Sequence, residues 1–326
     1  MDNNLLITGG TGFFGTALVE KLSDQLIRKK YDVNRVYLLS RSEGDAHRFK
    51  NKNFDWLYYV KGDIHNEEWW NKCKNITHVI HAAADSTNGP MLSCGERYDQ
   101  IVNGTRKILG FSESQRIRNF LFISSGAVYA RKDGDVDSYK ETELCAPLTY
   151  DLGQIYGLAK RVAETECLIK AKELSMIVSV ARCFSFIGHD LPMDKHFAIG
   201  NFIKSAILNE DIVINGNGSQ IRSYLHQSDL ANILIKMVFE NFDGIYNVGS
   251  SEKVSIKRLA KLVVKASTKD IKVRIKGLAT SSENEGRNVY VPNTDKLLKD
   301  LSIKPLNLEE SISLTLGKLK RGEKCL

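Results

Sequence analysis

A doubly wound, parallel α/β sheet is the fold class this sequence predicts, and three observations predict it. Short apolar runs of strand length alternate with longer segments whose apolar residues recur at helical spacing, from residue 5 to about residue 181. Most of these runs end in small or hydroxyl residues (Thr8-Gly9, Ser40, His81-Ala82, Ser124-Ser125). The first run passes directly into a turn with glycines at every third position. Alternation of strand and helix implies parallel strands with helices on both faces, and ligands of such sheets lie beyond the carboxyl ends of the strands.

Leu5-Leu6-Ile7 reads as a buried strand, and Thr16 to Lys29 as the helix that follows it. Between them lies Thr8-Gly9-Gly10-Thr11-Gly12-Phe13-Phe14-Gly15. Gly9 allows a tight turn, Gly12 lets the main chain approach a phosphate, and Gly15 lets the helix pack on the strand. Unpaired N–H groups at the start of the helix then face the pyrophosphate of a dinucleotide. A glycine-rich loop without a ligand is the plainer alternative, and the strand–turn–helix context argues against it. The fold expected is therefore Rossmann-like.

Val36 to Leu39 is the second strand, ending at Ser40-Arg41. An NAD-preferring fold places an acid there for the adenosine ribose. Arg41 instead suits the extra phosphate of NADP, unless it is simply a solvated surface residue. Trp56 to Val60 leads to Gly62-Asp63, where the acid either reaches an adenine amino group or serves a turn. Thr77 to Ile80 leads to His81-Ala82-Ala83-Ala84, whose small residues admit a ligand close to the main chain, with His81 read as structural. A helix over Cys94 to Gln115 precedes the strand Asn119 to Ile123, which ends at Ser124-Ser125. Tyr150 to Glu173 is the next helix and Met176 to Ala181 the next strand. Beyond it the alternation weakens. We expect a dinucleotide-binding domain over residues 1–183 and a smaller, mixed substrate-binding lobe over 184–326, with about 242–248 returning to the sheet.

Hydrophobic residues make up 42% and charged residues 26% of 326 positions, the balance of an ordinary soluble protein. No apolar run approaches a membrane span and the polar start lacks a signal peptide's basic region, so a cytoplasmic protein with no membrane partner is expected. Six cysteines without C-x-x-C spacing suggest neither a metal site nor a disulfide framework. The net charge of +7 is spread among acids, with a cluster only at Lys318 to Lys324, and this argues for a phosphorylated small molecule over a nucleic acid.

Tyr156 and Lys160 stand four apart on a predicted helix and so share a face. The lysine's charge favours the phenolate, which fits Tyr156 to exchange a proton with a substrate oxygen while a nicotinamide exchanges hydride with the attached carbon. Ser125, at its strand end, would hold and polarise that oxygen, although it is equally readable as a turn serine.

With the glycine turn, His81-Ala-Ala-Ala84, Ser124-Ser-Gly-Ala-Val-Tyr129, Tyr156-x-x-x-Lys160, Arg222-Ser-Tyr-Leu-His226 and Tyr246-Asn-Val-Gly249, the chain resembles the extended short-chain dehydrogenase/reductases of the NAD-dependent epimerase/dehydratase family that act on nucleotide sugars. The resemblance implies a cofactor set of Gly9, Thr11, Gly12, Phe13, Phe14, Gly15, Ser40, Arg41, Asp63, Ile64, His81, Ala82 and Ala83, reached also by Tyr156 and Lys160. It implies Ser125, Tyr156 and Lys160 as catalytic residues, with Asn201, Arg222 and Arg287 joining Ser125 on the substrate, and a homodimer paired through a four-helix bundle. Family members that eliminate water carry Asp-Glu after the catalytic serine or threonine, and decarboxylating members keep the glutamate. This chain has Gly126-Ala127. Ile101 and Ser185 replace asparagines common in the family. What remains is reduction of a nucleotide-linked 4-keto-6-deoxy sugar, with NADPH favoured and NAD possible. The alternative is 4-epimerisation with a tightly bound NAD. A non-catalytic dinucleotide sensor is a further reading, disfavoured by the intact Tyr/Lys pair.

Overall fold

The computed structural model describes residues 2–42, 54–84, 92–130, 137–193, 197–277 and 288–322. The elements follow in the order β1 (Asn3–Thr8), α1 (Phe13–Leu22), α2 (Gln25–Lys30), β2 (Val33–Ser40), β3 (Leu57–Lys61), β4 (His78–His81), α3 (Cys94–Gln115), β5 (Asn119–Ser125), α4 (Ile155–Leu174), β6 (Ile177–Cys183) and β7 (Phe186–Ile187). Then come α5 (Ala198–Leu208), β8 (Ile212–Ile214), β9 (Ile221–Arg222), β10 (Leu225–His226), α6 (Gln227–Phe239), β11 (Gly244–Val248), β12 (Val254–Ser255), α7 (Ile256–Ser267), β13 (Val273–Ile275), β14 (Val289–Tyr290), α8 (Asp295–Leu301) and α9 (Leu308–Lys320). No described helix is long and apolar enough to cross a membrane.

Seven strands form one sheet in the order β11-β6-β5-β4-β1-β2-β3, and β1 to β6 pair in parallel. The chain first builds outward from β1 to β3, then crosses back to β4 on the other side of β1. The point of reversal lies between β1 and β4, where doubly wound sheets bind dinucleotides. Strands such as Leu5-Leu6-Ile7 are fully buried because helices cover both faces, which is why they read as continuous apolar runs. Trp69, Ile108, Phe111, Phe120 and Val178 anchor the core on one side of the sheet.

Local chemistry explains the boundaries. Ser93 caps α3 by accepting from Glu96 N at 3.3 Å while the Glu96 carboxylate accepts from Ser93 N at 2.8 Å. The single helix expected over Thr16 to Lys29 is two, because Asp24 accepts from Leu26 N at 2.9 Å and starts α2 afresh. The helix expected from Tyr150 begins at Ile155. Asp151 accepts from Gly153 N at 2.9 Å and holds residues 152–154 in a tighter 3-10 turn.

By compactness the chain divides into two units. The first comprises Met1–Ala130, Leu144–Cys183 and Ala231–Tyr246, and the second Arg131–Glu143, Phe184–Leu230 and Asn247–Leu326. In the first, the late segment is tied in by Phe239, whose ring packs 4.6 Å from His78 and 5.2 Å from Tyr31, and by Ser179, which donates to Phe242 O at 2.5 Å. In the second, β12, β9 and β14 form a small sheet, β10 pairs with β7 and β13 with β8. Asn247 joins that unit through bonds to Tyr139 O at 2.8 Å and from its N–H to Glu141 at 2.8 Å.

Both histidines of β4 are buried. Burial, helped by the charge of Arg118, lowers the pKa of His78 to about 4. Burial, helped by Lys160, lowers that of His81 to about 3. Between roughly pH 4 and 6.5 the unfolded chain binds protons here that the folded chain does not, so stability rises with pH through that window and is lost on acidification. Unfolding free energy from urea titrations should fall from pH 7 to pH 4.5 by about 2 kcal/mol for each histidine. In a His78→Phe variant that fall should shrink by about this amount, and an unchanged fall would contradict the assignment.

Candidate active site

The glycine turn sits at the carboxyl end of β1. Gly9 has φ +67°, and a Cβ there would lie 2.9 Å from Ala83 Cα and 3.0 Å from Ala82 O, so only glycine fits against the end of β4. A Cβ on Gly15 would lie 2.2 Å from Gly10 O, which shows how closely α1 meets the turn. Gly12 is different. It is the N-cap of α1, it offers no side chain to the helix's first N–H groups, and a Cβ there would meet only Gly9 O, at 3.5 Å. No acidic side chain occupies the first turn of α1. An open, uncapped helix start of this kind fits a pyrophosphate. Phe13 and Phe14 follow, edge to face with ring centroids 5.7 Å apart.

Three neighbouring strand ends close the rim. Thr11 Oγ1 and Ser40 Oγ are 2.8 Å apart, which ties the glycine turn to β2, and exposed Arg41 comes next. Beyond β3, Asp63 accepts from His65 N at 2.9 Å and bonds the His65 ring at 2.8 Å. Burial raises the Asp63 carboxyl, but the His65 bonds and the charge of Arg41 outweigh it and hold the group below its ordinary value. It stands as an ionised acceptor. Ile64 and His81, which the sequence assigns to the cofactor, both turn their side chains inward. Ile64 Cδ1 lies 2.5 Å from where a Cβ on Gly104 would be, and the His81 ring spans Thr8 Oγ1 at 2.7 Å and Thr105 Oγ1 at 3.1 Å. Both side chains are thus engaged within the fold. Thr8 also receives Ala83 N at 3.2 Å and so fixes the small-residue stretch after β4.

The catalytic candidates sit where α4 meets β5. Tyr156 is half-buried against the core, and Lys160, one turn on, is buried and donates to Ile123 O at 2.7 Å, its ammonium 4.7 Å over the Phe122 ring. Burial presses the Lys160 pKa down to about 8, against the partial support of Cys183, Cys167 and Glu164. Ser125 Oγ accepts from Ala127 N at 3.1 Å, which sets a 3-10 turn over Gly126–Val128. The face of α4 then grips the chain on both sides of Ser125. Gly157 packs so tightly on Ala127 O that a Cβ would come within 2.2 Å, Lys160 holds Ile123, and Arg161 donates to Val128 O at 3.2 Å.

Sequence reasoning missed the fourth member of this grip. Glu164, one turn past Lys160, accepts from Ser124 Oγ at 2.5 Å. The same carboxylate takes Arg182 through Nε at 3.0 Å and Nη2 at 2.6 Å, and Arg182 Nη1 donates to Tyr129 OH at 3.0 Å. Burial lowers the Arg182 pKa, and the bonds and charge of Glu164 more than reverse it. The one signal in the sequence was the i+4 spacing from Lys160 to Glu164.

The sequence model of the NAD dependent epimerase/dehydratase family matches residues 5–249. The chain belongs to this family. The match bears out the resemblance drawn from the motifs, and the family is one of enzymes. Among relatives, the UDP-glucuronic acid decarboxylase 1 of Danio rerio is 28% identical over 263 residues, covering 79% of this chain and 59% of the relative. The chain thus spans about three fifths of the length of such decarboxylase relatives. A putative UDP-glucose 4-epimerase of Methanocaldococcus jannaschii is 26% identical over 335 residues, covering 98% of this chain and 99% of that one. In fold, the chain resembles the UDP-glucose 4-epimerase of Thermotoga maritima, solved with UDP-glucose, at TM-score 0.82 and 21% identity over 98% of this chain and 100% of that one. It resembles likewise the UDP-N-acetylglucosamine 4-epimerase of Methanobrevibacter ruminantium, solved with UDP-N-acetylmuramic acid, at TM-score 0.83 and 22% identity over 98% and 99%.

Of the residues the family resemblance assigns to substrate, Ser125 lies in the first unit and Asn201 and Arg222 in the second. Asn201 is exposed on α5, and Arg222 lies on β9 with Nη1 donating to Ile221 O at 2.8 Å. Arg287, with residues 194–196, falls outside the described residues. Ile101 is a core residue of α3, and its carbonyl accepts from Thr105 Oγ1 at 2.6 Å.

Because a Cβ on Gly12 would make only an ordinary contact with Gly9 O, at negative φ, a Gly12→Ala variant should fold, at a cost of no more than about 1 kcal/mol. Its dinucleotide affinity, measured by fluorescence titration, should fall at least tenfold, about 1.4 kcal/mol. Unchanged affinity would place the pyrophosphate elsewhere.

Proposed function

We propose that this protein reduces a nucleotide-linked 4-keto-6-deoxy sugar, drawing on NADPH, with Tyr156 as the proton donor. When bound, the dinucleotide supplies the hydride. Ser125 donates a hydrogen bond to the ketone oxygen and polarises it. Tyr156 gives its proton to that oxygen as charge develops there. Lys160 stabilises the phenolate left behind. A phenol's ordinary pKa is about 10, and lowering it by roughly 3 units takes about 4 kcal/mol of differential stabilisation. A buried ammonium one helical turn away is the group suited to supply much of it.

The observation that carries this reading is the turn after Ser125. Gly126-Ala127-Val128 brings no ionisable side chain to a stretch whose main chain is clamped by Gly157 and Arg161. Elimination of water needs an acid and a base at adjacent carbons, and neither comes from this turn. Hydride transfer without elimination needs only the Ser125, Tyr156 and Lys160 set. At the end of β2, Ser40 is bonded to Thr11, so the charged side chain there is Arg41, which suits a 2′-phosphate by charge and by its forked geometry. Asp63, ionised and partly exposed, is suited to accept an adenine amino group.

A second reading, 4-epimerisation with tightly held NAD, is favoured by the end-to-end similarity to the archaeal putative 4-epimerase. In either case we infer a cytoplasmic homodimer paired through α3 and α4, which leave Tyr98 and Ile169 exposed. An Ile169→Asp variant is expected to run as a monomer in light scattering while the parent runs as a dimer.

Purified protein should oxidise NADPH at 340 nm with UDP- or dTDP-linked 4-keto-6-deoxyglucose, one ketone lost per cofactor, and Tyr156→Phe should lower kcat at least about 100-fold. Interconversion of UDP-glucose and UDP-galactose without added cofactor would favour the second reading over the first. Full turnover in Tyr156→Phe would remove both.

A further inference from the structure

Lys160 does its work only if its charge remains available to the phenol, and the surroundings of its ammonium decide that. Its neighbours come from four elements. From β5 it meets an uncharged carbonyl, Ile123 O at 2.7 Å, and the Phe122 ring. From β4 the titratable group that feels its charge is His81, which burial keeps neutral. From β6 comes Cys183 and from α4 itself Cys167, both held as thiols because burial pushes their pKa values well up. Glu164 alone among these described neighbours carries a negative charge, and that charge is felt at Lys160.

The spacing makes Glu164 a competitor. A lysine and a glutamate four apart on one helix face are in reach of each other, and such a pair buried together would hold the ammonium tightly. The Glu164 carboxylate is instead engaged by Ser124 and Arg182. It takes Ser124 Oγ at 2.5 Å, Arg182 Nε at 3.0 Å and Arg182 Nη2 at 2.6 Å, in a pair whose side chains are only 7% and 4% exposed. The Arg182 guanidinium is itself fixed from its far side by Tyr129, through Nη1 at 3.0 Å and by lying 4.9 Å over the ring.

We propose that Arg182 is a positioning residue, which withholds the Glu164 carboxylate from Lys160 and so leaves the lysine's charge for the Tyr156 phenol. The ion pair is then a device for keeping a neighbouring cation uncompensated, beyond any part in joining α4 to β6. This rests on the reading of Tyr156 as the proton donor.

The test is the pH dependence of kcat/KM for ketone reduction, whose alkaline limb reports the coupled titration of Tyr156 and Lys160. In Arg182→Met, Glu164 is released to Lys160, the phenolate loses support, and the alkaline limb should move up by about one pH unit. In the double variant with Glu164→Gln and Arg182→Met no competing acid remains, and the limb should return to the parent position although the ion pair is gone. Ser124→Ala, a small change that removes one donor from the carboxylate, should give a smaller upward shift, and it carries the test if Arg182→Met does not fold. A limb that stays put in Arg182→Met or, failing that variant, in Ser124→Ala would overturn the proposal. So would an equal shift in the single and double variants. Tyr156→Phe separates the two levels. If it keeps full turnover, the reading of Tyr156 fails and this inference with it. If it is inactive and the limb of Arg182→Met matches the parent, only the inference fails.

Discussion

A buried ammonium pressed against a strand carbonyl is the contact on which the site depends. Lys160 reaches Ile123 O at 2.7 Å, and that bond fixes α4 against the carboxyl end of β5. The lysine would be costly to bury without an acceptor. With one, it serves as a peg that sets the height of Tyr156, one turn earlier, relative to Ser125, two residues further along β5. Gly157 and Arg161 repeat the contact on the far side of Ser125, so the serine sits between fixed points. Geometry of this kind, held by main-chain acceptors, suits a reaction in which atoms must meet within a few tenths of an ångström.

The electrostatics of the first unit follow from the same burial. Helices cover both faces of the sheet, so the buried polar groups named here are neutral or paired. His78, His81, Cys167 and Cys183 are uncharged, and Glu164 and Arg182 satisfy each other. Among the described residues Lys160 is the exception, buried against uncharged partners, the Ile123 carbonyl and the Phe122 ring. Burial presses its pKa below the ordinary lysine value, against the partial support of Cys183, Cys167 and Glu164.

Much of this arrangement could be read from the chain. The alternation of runs gave the parallel sheet, and the bounds expected for α3 match those found, where Ser93 and Glu96 cap its start. The glycine turn was legible because its demands are local, such as positive φ at Gly9 and no room at Gly15. The break between α1 and α2 escaped because Asp24, a local cap, interrupts an apolar period that continues across it. The two-residue strands of the second unit are too short for any period to declare them. Long-range pairings escaped for a deeper reason. Nothing near His81 announces Thr8 and Thr105 as its partners, and nothing near Glu164 announces Arg182 on the neighbouring strand, since the fold alone brings them together.

The central claim is that a phenol on α4 is acidified by the charge of Lys160, and the ionisation of that phenol is the direct measure of it. Ultraviolet difference titration of the protein against its Tyr156→Phe variant isolates this one tyrosine. The account predicts a pKa well below the ordinary value of about 10, rising in Lys160→Met. A Tyr156 that titrates at or above 10, or one indifferent to loss of the lysine, would contradict it.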